Sequence, residues 1–276
     1  MVDISPELSY YINKKLIKSW DKIRGGFLAG KDEDRVFLVD GRERTGKSVF
    51  TFQQAKYLDP TFDVSRVCFK PEEFLNCIRT AKKGQVIVFD EAFRGLSSKS
   101  ALSKTNKAVV QAMMEMGQRN LIVFIVLPTF FLLEMYAAVL RSEALFHIYK
   151  NKKGVRKFRV YNYKKKAELY KLGKKKGFSY DWPKTKFRDR FFNIYAIDET
   201  SYRAKKEQAL QDMDGTGDAD GESKYQEKWY KTVVALRKEL KLTEKSTSEL
   251  LSRYQVRVGA AQVGEITRKH GIVPGT

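Results

Sequence analysis

Cysteine and histidine are scarce in this chain of 276 residues, with two of each: Cys68, Cys77, His147 and His270. No pair has the spacing of zinc ligands, and one disulfide would be no framework. Zinc modules and disulfide-stapled secreted folds are therefore excluded, and a reducing compartment fits. The first residues, MVDISPELSYYINKK, lack the apolar core of a signal peptide. Long hydrophobic runs are missing too. The greasiest, the 13 residues Leu121 to Leu133, falls short of the roughly 20 residues that span a bilayer, and Pro128 interrupts it. It reads as a buried strand, so the expectation is a soluble, cytoplasmic protein with no integral membrane segment. Acid is short relative to base: 53 Lys+Arg stand against 33 Asp+Glu, a formal charge of +20. So large an excess points to a polyanionic partner, either nucleic acid or an anionic membrane surface. The apolar content of 42% is still enough for a real core.

What is present is an alternation of short apolar runs with helical periodicity. Ser5-Pro6-Glu7 has the chemistry of a helix start, and Leu8, Tyr11, Ile12, Leu16, Ile17, Trp20 and Ile23 continue at helical spacing to Gly25-Gly26. Strand-like runs follow at RVFLVD (35–40), SRVCF (65–69), QVIVFDE (85–91) and NLIVFIVLPT (120–129). Helical segments separate them at 49–58, 71–81, 103–116 and 130–141. ALFHIY (144–149), a NKKG turn and VRKFRVYNY (155–163) read as a β-hairpin. Strands separated by helices predict an α/β fold with a mostly parallel sheet. The expected organisation is an N-terminal helix and lead-in over 1–34 and a core domain over 35–210 that carries a basic hairpin extension (151–190). An acidic, glycine-rich linker over 211–224 and a small helical domain over 225–276 follow.

The segment Gly41-Arg42-Glu43-Arg44-Thr45-Gly46-Lys47-Ser48 matches G-x-x-x-x-G-K-[ST] between an apolar strand and a helix. That spacing lets the loop curl its backbone N–H groups inward around phosphate oxygens, at the positive end of the following helix. Lys47 would reach the β- and γ-phosphates of a nucleoside triphosphate, and Ser48 would be a Mg²⁺ ligand. The bulky interior residues Arg42, Glu43 and Arg44 either fold outward or, for Arg44, touch a neighbouring subunit. About 40 residues on, Val86-Ile-Val-Phe-Asp90-Glu91 is an apolar strand ending in acid. Asp90 is placed to hold Mg²⁺ and Glu91 to polarise an attacking water as general base. The expected cofactors are ATP and Mg²⁺, and a base beside the Asp favours hydrolysis over transfer to a small acceptor.

The extra strand candidate between these motifs marks the additional-strand, RecA-like and AAA+ class of P-loop ATPases. Over Arg35 to Tyr149, GRERTGKS, VIVFDEAF and MGQRNLIVFIVLPT resemble the HerA/FtsK-type branch, including the zonular-occludens-toxin-like ATPases. The resemblance implies a RecA-like sheet flanked by helices. It also implies an arginine finger acting on the adjacent subunit's nucleotide, where Arg119 stands just before the fourth strand; Arg141 is a second candidate. The polar sensor usual at that strand's end is replaced by Leu127-Pro128-Thr129, so Thr129 alone could serve. A finger supplied in trans is worth about 10³–10⁵ in rate, so the resemblance predicts a homo-oligomer, a hexameric ring.

The stretch 151–190 carries sixteen Lys/Arg against Glu168, Asp181 and Asp189, with aromatic residues between them. Phosphate neutralisation and base stacking are the uses of such a mixture. Lys164, Lys165, Lys166, Lys174, Lys175 and Lys176 are the candidates for backbone contact, while Tyr161 and Tyr163 alternate like core-facing strand residues. The tail from Ser246 reads as helix, turn, helix, with Arg268 and Lys269 along it, and either a DNA-binding module or a protein-docking tail fits. The function expected is an ATP-hydrolysing motor on DNA, for translocation or for genome packaging of a virus or mobile element, in the host cytoplasm if viral. The alternative is a nucleotide-gated switch, loader or membrane-docked export ATPase.

Overall fold

Along the strand Arg35–Gly41 successive side chains point to opposite faces of one sheet, and both faces are covered. The computed structural model describes residues 2–5, 8–90, 99–185, 187–215, 219–253 and 258–270. It divides into two units, Met1–Ala209 and Leu210–Thr276.

In the first unit, β1 (Val2–Ser5) and β2 (Leu8–Tyr10) pair as an antiparallel hairpin, and α1 (Lys14–Leu28) follows. The helix expected from Ser5 therefore begins nine residues later than Ser5. Its cap is Asn13, whose side chain accepts from the Lys15 amide at 2.8 Å and satisfies one of the open first-turn donors. The main elements are β3 (Arg35–Gly41), α2 (Lys47–Leu58), β4 (Val67–Cys68), α3 (Pro71–Thr80), β5 (Val86–Phe89), α4 (Lys99–Glu115), β6 (Ile122–Val126), β7 (Ala144–Lys150), β8 (Arg156–Tyr161), α5 (Tyr163–Lys175) and β9 (Arg188–Arg190). The sheet order is β4-β5-β6-β3-β7-β8-β9. The first five strands are parallel, and β8 and β9 are added antiparallel.

Residue parity decides which face each strand residue serves. Val36, Leu38, Ile87, Phe89, Val123, Ile125 and Leu145 pack under α3, α4 and α5. Phe37, Val39, Val86, Val88, Phe124, Phe146 and Ile148 pack under α1 and α2. On that second face Trp20 sits edge-on to Phe37 at 5.0 Å, and its Nε1 donates to Gln54 Oε1 at 2.9 Å, so the indole is buried without stranding its N–H. Truncating Trp20 to Ala would lose about 3–5 kcal/mol.

Residues 130–141, expected as one regular helix, break into a short 3-10 turn (Phe130–Leu132) and a π-helical turn (Tyr136–Arg141). Buried Asn106 takes part of the backbone in place of helical bonds: its Nδ2 donates to the Leu132 carbonyl at 3.3 Å and its Oδ1 accepts from the Glu134 amide at 3.2 Å. The acidic stretch expected as a linker is helical on both sides of residues 216–218, which lie outside the described residues. α6 (Glu199–Gly215) runs into it and α7 (Ala219–Glu239) leaves it. Once nucleated, a helix propagates past its apolar pattern, because each further residue adds one hydrogen bond.

The second unit closes α7, α8 (Glu244–Arg253) and α9 (Ala260–His270) around Val233, Leu251, Val263 and Ile266. Gly264, a poor residue for a helix interior, is there for space: an added Cβ would lie 2.7 Å from Glu244 Oε1.

Candidate nucleotide site

The loop between β3 and α2 is built by positive backbone angles. Gly41 has φ 141°, Arg44 φ 57° and Gly46 φ 99°. At Gly41 the close approach of β7 also demands glycine, since a Cβ would fall 2.1 Å from the Ile148 carbonyl oxygen. Gly46 is the N-cap of α2 and supplies no side-chain acceptor, so the first-turn N–H groups receive no cap and face the loop. That is the electrostatics of an anion cradle. Thr45 Oγ1 donates to the Arg42 carbonyl at 2.7 Å and closes the curl. Lys47 Nζ donates to the Gly41 and Arg42 carbonyls at 2.7 and 3.1 Å, which keeps the ammonium on the loop. Arg42, Glu43 and Arg44 are exposed.

On the β5 side, Ser48 Oγ donates to Asp90 Oδ1 at 3.1 Å. Asp90 is fully buried at the end of its strand, and its other oxygen accepts from the Tyr202 hydroxyl at 2.6 Å. Among the described residues no cluster of three His, Cys, Asp or Glu could cage a metal. One hydroxyl and one carboxylate instead suit Mg²⁺, which takes few protein ligands and completes its shell with phosphate oxygens and water. Glu91 lies outside the described residues.

The root of the loop is tied down by a second buried carboxylate. Asp40 Oδ2 accepts from the Phe130 amide at 2.8 Å and from the Tyr180 hydroxyl, and Asp40 Oδ1 accepts from His147 Nδ1 at 2.9 Å. The Tyr180 ring stacks on His147 at 3.9 Å, and its hydroxyl shares a 2.8 Å hydrogen bond with Thr129. Burial first, and then the Asp40 charge, push the Tyr180 phenol far above its ordinary pKa, so it remains a donor. Thr129, the sensor candidate, is thus a member of this network. Asp40, His147, Tyr180 and Tyr202 were not singled out from sequence. The two tyrosines lie 140 and 112 residues from the carboxylates they hold, and no local pattern announces such a pairing.

The remaining candidates are dispersed. Arg119 is exposed just before β6. The β3–β6 register pairs Arg35 with Ile122, so Arg119 sits at the opposite strand end from the loop, about 20 Å away by strand rise. It cannot serve its own loop. Arg141, the alternative finger, is committed: it pairs with Asp34, and its Nε and Nη2 donate to the Met113 carbonyl at 3.1 and 3.0 Å.

Lys164, Lys174, Lys175 and Lys176 are exposed, with Phe178 and Trp182 exposed beside the second run. Two lysines depart from expectation. Lys165 Nζ is occupied by the Lys184 carbonyl, and Lys166 is fully buried, donating to Ser142, so it cannot meet a phosphate backbone. Tyr161 is buried as expected, but Tyr163 is half-exposed at the start of α5. Arg268 and Lys269 are exposed on α9, where Lys269 pairs with Glu265 at 2.8 Å.

A seven-stranded, mostly parallel sheet with the phosphate loop on its central strand, and an acidic strand end two positions away hydrogen-bonded to the loop's Ser, defines a P-loop NTPase fold of RecA-like sheet order. No family model and no curated protein matches the chain. Among solved structures, the N-terminal domain of zonular occludens toxin from Neisseria meningitidis is 15% identical, covering 47% of this chain and 84% of that one with a TM-score of 0.32. The flagellar accessory protein FlaH from Methanocaldococcus jannaschii is 14% identical, covering 56% of this chain and 87% of that one with a TM-score of 0.25. At such scores the likeness carries no weight of its own, and the class rests on the loop, the strand order and the Ser48–Asp90 contact.

Proposed function

We propose that the chain is an ATP-hydrolysing, ring-forming motor that acts on DNA. The observation that carries the hydrolytic part is the Ser48–Asp90 contact beside an uncapped, glycine-shaped helix start. In this reading the loop amides and Lys47 hold the β- and γ-phosphates. Ser48 and, through water, Asp90 would hold Mg²⁺, which would supply positive charge against the phosphate oxygens. Glu91 accepts a proton from a water whose oxygen attacks the γ-phosphorus, and ADP leaves with the bridging oxygen. Arg119 of a neighbouring copy supplies the cation that a lone subunit lacks.

The DNA part is supported by the exposed lysines at 164 and 174–176 beside exposed Phe178 and Trp182, a surface suited to phosphates and stacked bases. No helix among the described residues is long and apolar enough to cross a membrane.

Steady-state ATPase with and without duplex DNA, over a salt series, tests the proposal. Stimulation that falls steeply as salt rises is the expected result. Stimulation by anionic lipid or a protein with none by DNA would replace the motor by a nucleotide-gated switch or export ATPase. Full turnover by a dilute monomer would remove the ring.

A further inference from the structure

On the side of the loop away from Asp90 there is a cavity of about 390 Å³, within the usual range of small-molecule sites. Its walls are the tip of the β7–β8 hairpin, with Lys150, Val155 and Arg156, and the strap Arg190–Phe191–Phe192. This cavity adjoins the phosphate loop. A Cβ on Gly46 would lie 3.1 Å from Arg156 Cδ and Nε and 3.3 Å from the Phe191 ring. Arg156 Nε is buried and has no hydrogen-bond partner among the described residues. The strap is held in place from α2, where Gln53 Nε2 donates to the Phe192 and Ile194 carbonyls at 2.8 Å each. Phe191 is buried against Phe50 at 5.2 Å, whereas the Phe192 ring is 44% exposed with the Arg190 guanidinium 5.5 Å over it.

Sheet order sets the direction in which a nucleotide must lie. β3 carries the loop; β6 and β5 lie on one side of it, β7 and β8 on the other. The Ser48–Asp90 pair lies on the β5 side, so a metal held there would keep the β- and γ-phosphates toward β5. A triphosphate anchored at that end leaves the loop at the other, where Arg156 and the strap stand.

Building on the ATPase reading above, we infer that this cavity receives the base and ribose of the bound nucleotide. The flat Phe192–Arg190 wall stacks the base, and Arg156 meets the nucleotide where its phosphates join the ribose. A planar, delocalised guanidinium suits both contacts, since it stacks on rings and forks to phosphate oxygens.

Isothermal titration with Mg-ATP and with Mg-tripolyphosphate, which has the phosphates and no nucleoside, tests this on four full-length proteins: wild type, Phe192→Ala, Val155→Trp and Lys47→Ala. Loss of a stacking partner should weaken Mg-ATP about tenfold. Val155→Trp, at an exposed turn position, should fill the cavity and do at least as much. Both variants should keep wild-type affinity for tripolyphosphate, which also shows that the loop is still folded. Lys47→Ala should lose both ligands. Unchanged Mg-ATP binding in both cavity variants, or equal weakening of ATP and tripolyphosphate, would overturn the cavity assignment while Lys47→Ala still upholds the loop. Wild-type binding of both ligands by Lys47→Ala would overturn the loop and the cavity together.

Discussion

Replacing Lys166 by Met should make the protein's stability less dependent on pH in a way that can be worked out in advance. Lys166 shares the inward face of α5 with Leu169 and Gly173 and is fully buried. Its ammonium donates to the Ser142 carbonyl and hydroxyl. Burial dominates its titration, opposed by the Glu143 charge, and lowers its pKa from 10.5 to about 7. The unfolded chain keeps the ordinary value. Between about pH 7 and about pH 10.4 the unfolded state therefore binds a proton that the folded state does not, and stability rises with pH. Below pH 7 both states are charged and the full penalty is present; above about pH 10.4 both are neutral and it vanishes. One pH unit inside the window is worth about 1.4 kcal/mol, so raising the pH from 7 to 9 should stabilise wild type by about 2–3 kcal/mol relative to Lys166→Met. The variant also strands the Ser142 carbonyl, at about 1–3 kcal/mol, but that loss is nearly independent of pH and cancels in the comparison. Urea denaturation of both proteins at pH 6 and pH 9 measures the double difference. Parallel pH dependence would refute the reasoning, as would a Met variant that loses ground at pH 6.

Tyr202→Phe removes a hydrogen bond to a buried carboxylate, worth about 1.5–3 kcal/mol, so its thermal midpoint should fall by about 3–10 °C. Because Tyr202 acts through Asp90, the Mg²⁺ concentration for half-maximal ATPase should also rise by about tenfold or more, with Km for ATP at saturating Mg²⁺ little changed. Gly41→Ala places a methyl 2.1 Å from the Ile148 carbonyl at a left-handed φ, and should destabilise by about 3 kcal/mol or more in chemical denaturation. Arg119→Ala should bind ATP normally yet lose about 10³-fold or more in turnover, and mixing it with Lys47→Ala should restore part of the activity. Mixed assemblies no more active than either parent would exclude a finger acting in trans.

What was legible in the sequence was what depends on neighbours in the chain. The phosphate loop is fixed by a spacing of eight residues, and the parity of RVFLVD sorts Phe37 and Val39 from Val36 and Leu38. Pro71 with Glu72 and Glu73 marks the start of α3 where it is found. What was not legible depends on partners remote in sequence. Ser5-Pro6-Glu7 carries good capping chemistry, but Asn13 caps the helix, and Val2–Ser5 pairs with a strand instead. A run of three lysines looks uniformly solvated until the helical phase is known. At about 100° per residue the third lies 20° from Gly173 and on the Leu169 face while the first lies 140° from Leu169, so Lys164 points outward and Lys166 inward. The regular helix expected over 130–141 fails because Asn106, on a different helix, takes its backbone groups.

The same dependence on remote partners changes the meaning of the segment after the ATPase core. Read along the chain, residues 151–190 look like a basic appendage, with the rest of the core domain to 210 behind it. In the fold, these residues supply the two tyrosines that hold the strand-end carboxylates: Tyr180 on Asp40 at the root of the loop, and Tyr202 on Asp90 beside Ser48. A buried carboxylate is expensive unless its oxygens are hydrogen-bonded, so each tyrosine contributes to holding its strand end in place. The tyrosine that braces Asp40 also stands two residues from Phe178 and from Trp182 on the exposed basic surface. A load on that surface that shifts Tyr180 must leave Asp40 and the Phe130 amide to re-pair, at the very residue that precedes Gly41. The segment that looked like a basic appendage, with the chain behind it, therefore also braces the two carboxylates beside the phosphate loop, and one displacement acts on both.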